Sequence, residues 1–342
     1  MPSNAAPRYQ ASFRKNEIEL IVRMAQRGES LAFMGLAGIG KSNIVNFLRE
    51  IDELAPQLEE NVARLHFPIV DATYWQQTPV SLWKIMLDAL EQATKNLTSP
   101  ANDEKIIPIA EEERVLNTLR SRLQWICQEL EHKVMFVLDD FDQVFETGPL
   151  SMLERLNGLR SEGNREAVSY LVFTKRLPHV LGRAYDMEHN SKFYDLFRHQ
   201  VYALEPYSAD DAYQMLKHLN EVSGNPLREK DLAEIRQLAG GHAQLLKIIF
   251  DLWAGGNLAG VNPVTFLADN SDVQQECERI LRGLHEDERA VAARLAQKLI
   301  LPEDKDVIDH MVRRGLLSKS ESLTWFSPVW GRFLATRQAE GA

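Results

Sequence analysis

The sequence predicts a doubly wound α/β sheet, then a helical segment, then a small C-terminal unit, and three observations support this. Short apolar runs alternate with helix-period segments as far as about residue 205. From Tyr207 to about Trp253 the pattern is wholly helical. A Gly/Asn/Pro-rich joint, AGGNLAGVNP (254–263), then introduces a final unit of about 75 residues. At 342 residues the chain exceeds one core of ordinary size, so two or three packed units are expected. No internal repeat or low-complexity segment interrupts it.

Composition excludes several classes of function. No apolar run approaches the roughly 18 residues of a membrane span, so no membrane partner is expected. The N-terminus, MPSNAAPRYQASFRKNE, has no apolar segment after its basic residues, so a cytoplasmic chain without a secretory leader is expected. A net charge of -10 opposes nonspecific coating of nucleic acid, which depends on Lys and Arg neutralising phosphates, although a local basic patch stays open. Cys127 and Cys277 sit in separate amphipathic segments and read as buried thiols.

In chain order, KNEIELIVRMAQRG (15–28) spaces its apolar residues for a helix that Gly28 stops. The strand SLAFMG follows, then a glycine loop and the helix NIVNFLREIDEL. ARLHFPIVD (63–71) reads as a second strand and SLWKIMLDALEQATKNL as a helix. TSPANDEKIIP (98–108) reads as a polar insertion. The helix EEERVLNTLRSRLQWICQEL leads into KVMFVLDDFDQVF, whose unbroken apolar run suits a strand buried on both faces. LSMLERLNGLRSEG is a helix, SYLVFTKR a strand and HQVYALEP a fifth strand. Ser208 and Asp211 form a capping box at the start of the helical segment.

The chemistry is concentrated at two places. Gly35-Leu-Ala-Gly-Ile-Gly40-Lys41-Ser42 fits G-x-x-x-x-G-K-[ST] between a strand and a helix, the context in which a glycine loop cradles phosphates. Its backbone candidates are Gly35, Gly38, Ile39 and Gly40, followed by Asn43. Lys41 would reach the outer phosphates and Ser42 would hold Mg²⁺. About 100 residues later, Val134–Leu138 delivers Asp139 and Asp140. Asp139 is the second Mg²⁺ candidate, and Asp140 is the candidate to orient or deprotonate a water. The next strand ends in Thr174-Lys175-Arg176, and ligands lie at the carboxyl ends of such strands. Thr174 or Arg176 would then face the γ-phosphate; a solvated basic turn is the open alternative.

These motifs, with LEPYSADDAYQML, LAGGHAQLLKII and the C-terminal LHEDERAVAARLAQKLILPEDKDVIDHMVRRGLLSKSESLTWFSPVWGRFLA, resemble the STAND branch of the AAA+ ATPases, near the origin-recognition initiators. The resemblance covers about residues 13 to 335. It implies an N-terminal tail (1–12), a P-loop ATPase core (13–205), a helical lid (206–260) and a winged-helix domain (271–342). It also implies an ATP/ADP switch with Mg²⁺, and either homo-oligomerisation on ATP binding or a separately encoded effector or sensor. Signalling, regulation or defence against phage is the implied setting. In the family's N-terminal box Phe13 is kept as a nucleotide contact, and Asn16 stands where Arg is frequent. Gln244 takes the place of an Arg in the lid helix, and His242 is the candidate to replace it, with a structural role as the alternative. Asp140 stands where fast motors have Glu, which implies slow turnover.

A DNA-associated AAA+ ATPase is the competing reading, with Arg160, Arg165 and Arg183 as candidate arginine fingers. A non-hydrolysing binding module is a third. The helix that would read DNA, Glu303–Arg314, opens with four acids against one Lys, so DNA contact is not favoured. Arg313, Arg314, Lys319 and Arg332 would form the only small basic patch there.

Overall fold

The structure, a computed structural model, describes residues 10–58, 61–97, 110–161, 163–256, 261–319 and 322–340. The insertion expected at 98–108, positions 1–9 of the N-terminal tail and residues 257–260 of the joint lie outside the described residues. The chain forms two compact units, one built on residues 15–34 and 42–202, the other on 12–14, 35–41 and 203 onward.

The first unit begins with α1 (Lys15–Arg27), whose Ile18, Ile21, Val22 and Ala25 form one buried stripe. The sheet comprises β1 (Leu31–Gly35), β2 (Leu65–His66), β3 (Ile69–Asp71), β4 (Lys133–Asp139), β5 (Val168–Thr174) and β6 (Val201–Leu204), in the order β2-β4-β5-β1-β6, with β3 also paired to β4. β4 pairs in parallel with β2, β3 and β5, β5 pairs in parallel with β1, and β5 is buried at every position. That burial explains why these strands read as continuous apolar runs instead of alternating ones. Helices α2 (Lys41–Arg49), α3 (Pro79–Ala93), α4 (Glu111–Gln124) and α5 (Leu150–Gly158) supply the connections.

The structure corrects the sequence reading at three elements. ARLHFPIVD is two short strands, because Phe67-Pro68 interrupts the ladder and Pro68 has no N–H to donate; its carbonyl still accepts from Val137 N at 2.9 Å. The helix expected to reach Leu130 relaxes into a π-turn at Trp125–Glu129. The helix after the glycine loop ends at Arg49, and a separate turn, Ile51–Leu54, continues it. Trp75, Trp83, Phe193 and Phe197 belong to the core, and both cysteines are buried thiols.

The second unit carries α6 (Ala209–Val222), α7 (Glu229–Ala239), α8 (Ala243–Ala254), α9 (Pro263–Asp269) and α10 (Ser271–Arg282). It ends in α11 (Glu286–Ala296), α12 (Lys305–Arg313), the antiparallel hairpin β7 (Leu317–Lys319) and β8 (Leu323–Trp325), and α13 (Pro328–Glu340). This order of two helices, hairpin and helix is the one expected of a winged helix. Among the described residues no helix is long and apolar enough to cross a membrane.

A buried ion pair joins α11 to the end of α12. Arg314, at the end of α12, donates to both carboxylate oxygens of Glu288 on α11, and His310 Nδ1 lies 3.2 Å from the same carboxylate. Glu288 and Arg314 are 2 % and 4 % exposed, so Arg314 is removed from the basic patch anticipated near the wing. Burial alone would raise the Glu288 carboxyl, but His310, Arg314 and the His285 N–H outweigh it and hold its pKa at about 2. Because the folded value lies below the ordinary 4.5, this stabilisation is fully present above about pH 4.5 and is lost as pH falls towards 2. Arg314→Met strands the carboxylate and is expected to cost about 3 kcal/mol in urea unfolding at pH 7. The Glu288→Leu/Arg314→Met double variant should recover much of that loss and show a weaker pH dependence between 4.5 and 2.

Candidate functional site

The glycine loop, Gly35–Lys41, falls in the second unit. It leaves β1, whose five residues are all buried, and ends where α2 begins. Gly38 and Gly40 adopt φ of +73° and +104°, backbone that side chains rarely tolerate. A Cβ on Gly40 would come within 2.6 Å of the Tyr207 hydroxyl oxygen, so both conformation and space demand glycine there. Ile39 is fully buried and anchors the loop from below. Lys41 is 8 % exposed, and its ammonium donates to the carbonyls of Gly35 and Leu36, each at 2.9 Å. A cation is thereby held at the loop that would receive an anion.

Residues from the N-terminal turn and the lid brace this loop. Arg14 Nη2 donates to Ile39 O at 3.2 Å and Glu205 O at 2.9 Å, and its guanidinium lies 4.6 Å from the Tyr207 ring centre. Phe13 meets the same ring edge-on at 5.8 Å. The Arg14 N–H donates to Asp211 Oδ1, while the Ser208 hydroxyl donates to Oδ2. The Ser208/Asp211 cap foreseen from sequence therefore also fastens the N-terminal turn to α6. The sequence reading passed over Arg14, because a single basic residue before a helix carries no signature of its own.

His242 is fully buried at the start of α8. Its Nε2 donates to Ala37 O at 2.9 Å, and its Nδ1 accepts the Leu245 N–H at 3.3 Å. Burial, with Arg279 and Lys41 nearby, pushes its pKa down to about 3 against the opposing Ala37 bond, so the ring is neutral at physiological pH. Both nitrogens are occupied. His242 therefore shapes the loop, and the role of replacement phosphate donor suggested by the sequence does not fit this geometry. Gln244 also serves the loop through its backbone, its N–H donating to Gly38 O at 3.0 Å.

The acidic candidates lie in the first unit, at the carboxyl end of β4. Asp139 ends β4 in register with Asp71, and Thr174 ends β5 in register with Met34, the residue before the glycine loop. Asp140 turns the chain at φ +48°, its N–H donating to Asp139 Oδ1. Lys175 Nζ lies 3.1 Å from Asp140 Oδ1. Burial would lower the Lys175 pKa, but Asp142, Asp140 and Asp139 outweigh it and hold the ammonium above the ordinary value. Sequence reasoning weighed the neighbours of Lys175 and missed Lys175 itself. Thr174 is fully buried, and its hydroxyl finds no partner among the described residues. A buried hydroxyl without a partner is costly and commonly marks a site completed by a ligand or water. Arg176 is half-buried and makes no hydrogen bond or ion pair to the described residues. In the first turn of α2, Ser42 is exposed and Asn43 half-buried.

Arg160, one of the candidate arginine fingers, is committed internally, donating to the carbonyls of Gly28, Arg165 and Val168. Arg165 and Arg183 are exposed. Among the described residues no cluster of three or more His, Cys, Asp or Glu is arranged to hold a metal. A Mg²⁺ site made of one or two protein oxygens plus substrate phosphates needs no such cluster.

No protein-family profile matches the chain, and no curated protein matches it in sequence. By structure, it is similar to a Walker-type ATPase of Pyrococcus abyssi, with a TM-score of 0.53, 14% identity, and 95% of this chain and 98% of that one covered. It is similar also to the ORC2 protein of Aeropyrum pernix in its ADP form, with a TM-score of 0.51, 13% identity and coverage of 98% and 97%. The same protein in ADPNP–ADP complexes gives 0.50, 15%, 98% and 97%. These likenesses show a shared fold over nearly the whole chain: the P-loop α/β sheet with its helical continuation.

Proposed function

We propose that the chain binds ATP and ADP with Mg²⁺ at residues 35–43 and hydrolyses ATP slowly, its nucleotide state setting conformation and self-assembly. One observation carries the reading: the glycine loop with its buried Lys41 is gripped by the N-terminal turn and lid through Arg14, Tyr207 and His242. Whatever binds the loop must act on those elements, which is the coupling a switch requires. The fold shared with a Walker-type ATPase and with a protein solved with ADP and ADPNP supports the choice of ligand.

In this reading Gly38, Ile39 and Gly40 present backbone N–H groups and the start of α2 adds its positive end to the phosphate cradle. Lys41 exchanges two carbonyls for phosphate oxygens. Ser42 and Asp139 would hold the metal, which would supply positive charge beside the outer phosphate oxygens. Thr174 places its buried hydroxyl on the phosphate or the water, and Arg176 supplies a mobile cation beside it. Phe13 and Tyr207 offer apolar surface for the base. Asp140 positions the attacking water, but the Lys175 ammonium occupies one of its oxygens, which supports slow turnover.

DNA association receives less support. Arg314 is buried against Glu288, and Lys319 lies 3.2 Å from Asp309, so two of the four cations available near the wing are engaged. Self-assembly, or a separately encoded partner, fits a signalling or regulatory chain better.

Native mass measurement of the full chain tests the reading. One nucleotide per chain is expected with ADP, and a larger assembly with a nonhydrolysable ATP analogue. Absence of any nucleotide-bound mass at millimolar ligand would refute it.

A further inference from the structure

The phosphate loop has a neighbour that the proposed function does not use. Glu276 and Arg279 lie one turn apart on α10, beyond the three lid helices. A Cβ built on Gly38 would come within 2.2 Å of Glu276 Oε1 and 2.5 Å of Arg279 Nη2, so both charged groups lie against the loop. Glu276 is 6 % exposed. Arg279 clasps its two oxygens at 2.8 and 2.7 Å, with its own side chain 51 % exposed.

This places a carboxylate beside a loop whose backbone suits anions. The neighbouring ring does not compensate for it. His242 Nε2 is 3.9 Å from Glu276 Oε1, but its proton is directed to Ala37 O and the ring is neutral. Among the described residues Arg279 is the charged group that balances Glu276. A guanidinium suits phosphate as well as it suits carboxylate, because both offer two oxygens to its planar fork. A polyphosphate carries more charge than a carboxylate, and a triphosphate more than a diphosphate. Arg279 is exposed enough to change partner, whereas Glu276 is buried. Gly38 also leaves room for no side chain that would separate the pair from the loop.

Resting on the reading that the loop binds ATP and ADP, we infer that Arg279 is a nucleotide-binding residue that exchanges Glu276 for the phosphate chain. Glu276 is the competing anion that sets how much phosphate charge the exchange requires. The pair would therefore discriminate ATP from ADP, and it would carry that discrimination to α10.

A double-mutant cycle on the full chain, titrated with ATP and with ADP in Mg²⁺ buffer, tests the inference. Glu276→Gln frees Arg279 and should tighten ATP binding about tenfold, with a smaller gain for ADP. Arg279→Gln should weaken ATP binding by about tenfold or more, and the Glu276→Gln/Arg279→Gln variant should bind ATP more weakly than Glu276→Gln alone. Arg279→Lys should restore part of the affinity. If Arg279 serves only to neutralise Glu276, the double variant will equal Glu276→Gln and the ATP:ADP ratio will not move; that result overturns the inference. So would weaker ATP binding by Glu276→Gln with unchanged melting temperature. Lys41→Ala separates the two readings: wild-type binding that is lost in Lys41→Ala, together with a flat cycle, refutes the α10 exchange alone. A wild-type chain that binds neither nucleotide refutes both.

Discussion

Lys41→Ala is expected to weaken ATP binding by at least about 100-fold, equivalent to about 2.7 kcal/mol, while changing the melting temperature of the nucleotide-free chain little. Lys41 is 8 % exposed and its ammonium is already held at the loop by the Gly35 and Leu36 carbonyls, so little conformational freedom is lost when phosphate arrives. Charge-assisted hydrogen bonds to phosphate contribute about 1.5–3 kcal/mol each, and Lys41 would form more than one. In the nucleotide-free chain the substitution removes the hydrogen bonds from Lys41 to the Gly35 and Leu36 carbonyls. Isothermal titration with a nonhydrolysable ATP analogue measures the effect directly. Affinity within threefold of wild type would remove the loop from the binding site. Gly40→Ala is a useful companion, because at φ +104° the substitution strains the loop without altering charge.

What could be read from sequence follows from how local each requirement is. The glycine loop was legible because its constraint is local: Gly38 and Gly40 satisfy backbone angles that neighbouring residues cannot change. Asp139 was legible because five buried residues of β4 precede it and mark the strand end. The division of ARLHFPIVD could have been anticipated from Pro68, whose missing N–H is itself a local fact. Lys175 was adjacent to residues already singled out, yet nothing local distinguishes the cation that meets Asp140 from the one that does not. Arg14, Glu276 and Arg279 were not legible at all. Arg14 meets Asp211 across 197 residues, and Glu276 lies against Gly38 from a helix far along the chain. A charged residue on a helix has no sequence signature for a contact of that kind. His242 shows the reverse limit: its position was noticed, but its protonation and the use of both nitrogens depend on complete burial.

The acidic end of β4 yields the second large effect, and it separates a switch from a motor. Asp139→Asn is expected to lower Mg²⁺-dependent hydrolysis by about 10³-fold with ATP affinity largely retained, since the metal's charge acts mostly on the transferring phosphoryl group. Asp140→Ala should also abolish turnover. Lys175→Met is the more discriminating change. Its ammonium is 3.1 Å from Asp140 Oδ1 and is held in its charged form by Asp142, Asp140 and Asp139, so it competes with water for the candidate base. Removing it should raise turnover, about threefold to tenfold, if positioning the water limits the rate. Lys175→Arg should keep turnover low. The opposite outcome, a fall in turnover at unchanged ATP affinity, would make Lys175 a cation that assists phosphoryl transfer. The short reach of Asp140 would then remain as the candidate limit on turnover, a point that Asp140→Glu in the Lys175→Met background would settle by single-turnover phosphate release.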